Sequence, residues 1–184
     1  MTALLLLALA LNVRIETTAG NFTIELHPEW APNGAARFEQ LVRDKYYDDS
    51  RFFRVVPGKW AQFGIAGVPA TSQKWRTRTI PDDVPKQKNL RGIVAFANTG
   101  PNTRATEVFI NLTDNPRNDQ EPGFAPFGKV IGGMGIVDKL YSGYAETSGG
   151  GMRAGHQDPM FTEGNAWLDR EFPNLSKLLH AVIE

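Results

Sequence analysis

No cysteine occurs among the 184 residues, which excludes thiol nucleophiles, disulfides and Cys-ligated zinc and leaves the redox compartment open. Charge of either sign is not in excess: 20 Lys plus Arg balance 20 Asp plus Glu. No global field therefore gathers nucleic acid or an anionic membrane, and any partner must be recognised locally. Histidine is scarce, and His27, His156 and His180 lie too far apart for the i, i+4 spacing of a helical metal site. Gly133-Met134-Gly135 starts like a dinucleotide fingerprint, but Asp138 stands where the third glycine belongs, and no P-loop or hydrolytic triad is legible. The basic stretch of Lys74, Arg76, Arg78, Lys86, Lys88 and Arg91 is interrupted by Asp82 and Asp83, as on a solvated face. An enzyme built from this chain is expected to work without a nucleophile, metal or cofactor.

What is present is a globular composition, 41% hydrophobic and 22% charged, at the length of one ordinary domain. The one long apolar run lies in Met1 to Asn12, too short to span a bilayer as a helix. It resembles the apolar part of a secretory signal, with Ala8-Leu9-Ala10 like a cleavage site, but no Lys or Arg precedes it. We expect an extracytoplasmic protein, periplasmic or secreted; the alternative is an apolar N-terminal arm on a cytoplasmic one. A single domain is expected over 13–184.

From Val13 onward Val13 and Ile15, then Phe22, Ile24 and Leu26, alternate with polar neighbours around Ala19-Gly20-Asn21, predicting a hairpin. Ala35, Phe38, Leu41 and Val42 share one helical stripe behind Pro32. Further strands are expected over 50–56, 91–97, 107–112 and 127–132, a short helix over Met134 to Tyr141, and another helix from Pro173 through Leu175, Leu178 and Leu179, with Ala181 to Ile183 closing the sheet. Many short strands with few helices point to a mainly β, closed antiparallel barrel. The Gly-rich stretch 141–165 is expected to be a surface loop inserted in the domain, either passive or shaping a groove.

Three separated segments are more specific: FFRVVPGKWAQFG (52–64), GIVAFANTGPNTRATEVFINL (92–112) and GFAPFGKVIGGMGIVD (123–138). Together they resemble the cyclophilin-type peptidyl-prolyl cis/trans isomerases, in the character of bacterial members with a C-terminal FPNL-type segment. The resemblance implies an eight-stranded barrel capped by two helices, with the site on its outer surface, acting on X-Pro bonds of peptides and folding proteins. No heptad or paired apolar face appears in the sequence, so a monomer is the expected state. Arg54 matches the family's catalytic arginine, Gln62 its substrate-binding glutamine, Asn98 the asparagine whose backbone holds the residue before proline, and Phe109 the floor of the proline pocket. Ala97 and Thr99 are expected to line the adjoining groove.

At several positions the chain departs from the commonest family pattern. Lys59 and Trp60 follow Pro57-Gly58 in place of an aromatic and an aliphatic residue, which implies a slot more polar on one side and bulkier on the other. Glu107 replaces a glutamine, and its charge is expected to pair with Arg54 or Lys59 or to favour a basic substrate flank. Asn118 stands in place of a walling Trp or Leu, and Phe124 in place of a histidine donor. The reaction needs only a site that binds the twisted amide better than either planar isomer. Equal affinity for both would instead give a non-catalytic proline-peptide-binding or chaperone-like module, and a barrel binding no such peptide is a third reading.

Overall fold

Period-2 alternation from Leu11 sends Val13 and Ile15 to the core and their neighbours outward, giving β1 (Leu11–Thr17), and a turn at 18–19 returns the chain as β2 (Gly20–Leu26). The computed structural model describes residues 11–120, 123–147 and 157–184. Leu11 and Asn12 pair with Leu26 and Glu25, so the end of the expected arm is already strand. The Ala8-Leu9-Ala10 motif lies outside the described residues.

Pro32 opens α1 (Pro32–Arg43), where its missing N–H deprives the helix of nothing. The stripe of Ala35, Phe38, Leu41 and Val42 is buried. The free amides of Asn33 and Gly34 donate to the carboxylate of Asp83 at 3.0 and 2.9 Å, so the cap comes from a residue fifty positions on. The expected strand over 50–56 is two pieces, β3 (Ser50–Arg51) and β4 (Arg54–Val56). Then follow β5 (Trp60–Phe63), α2 (Pro69–Arg76), β6 (Ile93–Phe96), β7 (Val108–Asn111), β8 (Pro126–Gly132) and the one-turn α3 (Met134–Val137).

The C-terminal region differs from the sequence expectation. No helix starts at Pro173; among the described residues the helices of this region are α4 (Asp158–Thr162) and α5 (Asn165–Glu171), and Lys177–Ile183 is strand β9, whose end contains the expected closing segment Ala181 to Ile183. Leu175, Leu178 and Leu179 have helical spacing, but β1 offers an open edge, and β9 pairs with it, Ile15 opposite Ala181 and Thr17 opposite Leu178 across a bulge. Satisfying a row of backbone groups outweighs a two-turn helical preference.

Among the described residues nine strands form one antiparallel sheet in the order β3-β9-β1-β2-β8-β6-β7-β5-β4. The two end strands, β3 and β4, are consecutive in the chain, so the sheet curls until its edges are joined covalently through Phe52-Phe53. Taken as one broken strand, they make the barrel eight-stranded. Phe52 points into the barrel core, whereas Phe53 joins a second apolar cluster outside it with Ile65, Met160, Phe161, Leu168 and Leu175. That outer cluster holds α4 and α5 against the barrel, helped by Arg51, only 2% exposed, whose Nε and Nη2 donate to Asp169 at 2.9 and 2.8 Å.

Candidate active site

The barrel's outer face over β4, β5, β7 and β6 carries the candidate site. Arg54 on β4 lies opposite Gln62 on β5, Gln62 opposite Phe109 on β7, and Phe109 opposite Ala95 on β6. Residues scattered over 54–109 thus become one lateral row, because directly opposed positions share a face of a pleated sheet. Ala61, Phe63, Val108 and Ile110 take the alternate positions and are fully buried in the barrel. Gly64, at φ +115°, lets β5 leave the sheet against the backbone of Thr106, where a Cβ would lie 2.4 Å from a carbonyl oxygen.

The row floors a groove of about 750 Å³, lined among others by Arg54, Trp60, Gln62, Ala97, Asn98, Thr99, Glu107, Phe109, Asn118 and Phe124. Phe109 is its apolar centre: Phe124 meets it edge-on at 5.3 Å and Trp60 at 6.4 Å between ring centroids. Asn118 holds the wall from behind, its amide donating to Asn111 Oδ1, which Asn115 also engages. Lys59 departs from expectation: it is exposed on the β4–β5 turn, its ammonium 5.7 Å from the Trp60 ring centroid, and it does not line the groove.

The polar end of the groove is a chain of charge-assisted bonds. Arg54 Nη1 donates to Gln62 Oε1 at 3.1 Å, and Gln62 Nε2 donates to Glu107 Oε2 at 2.9 Å. A guanidinium only donates and a carboxylate only accepts, so the Gln62 amide has one orientation. Glu107 pairs with neither Arg54 nor Lys59 as expected. Gln157 Nε2 bonds the same carboxylate oxygen at 3.0 Å, and burial pushes the Glu107 carboxyl above the usual range, against the bonds from Gln157 and Gln62 and the charges of Arg76 and Arg54. Arg54 instead meets Glu146: its Nε and Nη2 donate to the two carboxylate oxygens at 2.9 and 2.8 Å, while its guanidinium carbon lies 4.9 Å from the centroid of the Trp60 ring.

The chain belongs to the cyclophilin-type peptidyl-prolyl cis-trans isomerases. The family described as "Cyclophilin type peptidyl-prolyl cis-trans isomerase/CLD" matches residues 12–159. A peptidyl-prolyl cis-trans isomerase of Acinetobacter baylyi is 35% identical over 135 residues, covering 70% of each chain. A peptidyl-prolyl cis-trans isomerase-like 1 protein of Gibberella zeae is 33% identical over 132 residues, 70% of this chain and 80% of that one. In structure the chain resembles a cyclophilin-type isomerase of Cryptosporidium parvum, with a TM-score of 0.68 at 22% identity over 95% of this chain and 98% of that one.

Several residues at this site escaped the sequence reading. Arg76, assigned to a solvated face, lines the groove with its guanidinium carbon 4.2 Å from the Phe161 ring centroid. Gln157 and Phe161 also line it, and they, with Glu146, belong to the stretch around 141–165 that reads as a surface loop. The legible signal is the mixture of Met160, Phe161 and Tyr144 with the glycines, more apolar payload than a solvated loop carries.

Proposed function

We propose that the groove takes an extended X-Pro segment, with the proline ring on Phe109 between Trp60 and Phe124 and Arg54 donating to the prolyl nitrogen as it loses conjugation. Rotation about the bond meets a barrier of about 18–20 kcal/mol because the nitrogen lone pair is delocalised into the carbonyl. A fixed donor that meets the lone pair only in the twisted state lowers that barrier without forming a covalent bond. The observation that carries this reading is the row of Arg54, Gln62 and Phe109, which sets a rigid cationic fork beside an apolar floor. Asn98, whose backbone makes no hydrogen bond among the described residues, is assigned to hold the residue before proline, and Ala97 and Thr99 the flanking groove.

Peptide segments of folding proteins are the proposed substrates, the chain acting as a monomer. The apolar Met1–Asn12 stretch supports an extracytoplasmic address, to be checked by fractionation. Among the described residues no helix is long and apolar enough to cross a membrane. A second reading, peptide gripping without catalysis, is favoured by one observation, the ion pair that engages Arg54. The Arg54→Ala variant decides between them: loss of one preorganised donor is expected to lower the rate about 100- to 1,000-fold, roughly 2.7–4 kcal/mol. A variant as fast as the wild type would contradict the assignment.

A further inference from the structure

The carboxylate on Arg54 comes from outside the row that builds the groove. Glu146 stands in the 3-10 turn Ala145–Thr147, within the inserted stretch, and the turn is anchored. Thr147 N and Oγ1 both donate to the Tyr144 carbonyl, at 2.8 and 2.5 Å. The Tyr144 ring packs against Tyr141 and Phe172 at 5.0 and 5.2 Å. Ala145 is held at φ +46°, a left-handed conformation that a residue with a Cβ adopts only when its surroundings impose it.

A guanidinium carries five N–H bonds. Glu146 takes the one on Nε and one on Nη2, and Gln62 takes one on Nη1. Two remain, one on each terminal nitrogen, and among the described residues neither has a partner. Glu146 therefore grips the side edge of the fork, Gln62 holds Nη1, and Trp60 packs at the ring distance of a cation–π contact. The fork is fixed and not used up.

We propose that Glu146 is a positioning residue for the isomerisation: it orients Arg54 so that the two free N–H bonds face the prolyl nitrogen. The inference rests on the reading of Arg54 as the donor. A fork with one edge clamped need not be ordered again when substrate binds, and small misplacements of a catalytic group are costly. Among the residues assigned to substrate, Glu146 bonds Arg54 through both carboxylate oxygens, so its effect is expected on rate and not on peptide affinity.

The test compares wild type, Glu146→Gln and Arg54→Ala in cis/trans exchange of an Ala-Xaa-Pro-Phe peptide, with peptide titration, thermal melting and the Arg54 Nε–H resonance recorded for each folded variant. Glu146→Gln is expected to lower the exchange rate between about tenfold and a hundredfold, keep the peptide Kd within about twofold, and broaden or shift the Arg54 Nε–H signal. An unchanged or faster rate would overturn the proposal, the faster rate marking Glu146 as a block on Arg54. A slower rate with the Arg54 signal undisturbed would also overturn it, because Glu146 would then act through the fold. If Arg54→Ala is slow while Glu146→Gln is not, this inference fails alone; if the wild type does not exceed the buffer rate, the donor reading fails with it.

Discussion

At the scale of single residues, Glu107 is where this groove departs furthest from a neutral amide lining. Its carboxylate accepts from Gln62 and Gln157, yet burial raises its pKa above the ordinary carboxylate range. The folded chain therefore binds that proton more tightly than the unfolded chain, so the associated stability is full below the unfolded pKa and is lost as pH rises through the folded one. Glu107→Gln is expected to raise the melting temperature near neutral pH and to change it little below about pH 4, where the carboxyl is protonated in both states. An equal shift at both pH values would contradict this. That Arg54, Gln62, Phe109 and Phe124 line one groove is legible only through the segments that resemble the family, which place the four together. The partners of Glu107 and Arg54 are not, since Gln157 and Glu146 reach them from fifty to ninety residues along the chain, a contact that no local pattern encodes.

At the scale of elements, the break between β3 and β4 does two jobs. It turns Phe52 inward and Phe53 outward, and the outward ring becomes the anchor for α4, α5 and the segment that leads to β9. Phe53→Ala is expected to cost about 3–5 kcal/mol of stability, the usual range for truncating a fully buried aromatic. Because Phe161 of the same cluster lines the groove and Tyr144, two residues before Glu146, packs against that cluster, the variant should also slow isomerisation. Denaturant melts with exchange rates recorded on the folded fraction check both effects, and a loss below about 1 kcal/mol would mean the outer cluster repacks freely. The hairpin, α1 and strands β6 to β8 are readable from alternation and stripe. The segment β5 is not, being four residues behind Pro57-Gly58; for β9 the alternation gives only its closing end, Ala181 to Ile183, while its first part reads as helix because leucine spacing cannot report an edge of β1 waiting at the other end of the chain.

At the scale of the whole molecule, a sheet whose end strands are neighbours in sequence closes without a long crossover, and the site lies on the outer face of that closed wall. The barrel supplies the row of Arg54, Gln62 and Phe109, and the turn Ala145–Thr147 supplies the carboxylate that orients Arg54. Resemblance and alternation make the barrel and its row readable, whereas the second wall depends on where the fold places Glu146, Gln157 and Phe161, which no local pattern encodes. The central claim is that this combined site accelerates rotation about X-Pro bonds through Arg54. The most direct measurement is two-dimensional NMR exchange of an Ala-Xaa-Pro-Phe peptide with wild type and Arg54→Ala at matched concentration. Exchange above the buffer rate with wild type, reduced about 100- to 1,000-fold in the variant, is the result expected; peptide shifts without acceleration, or equal acceleration by both proteins, would contradict it.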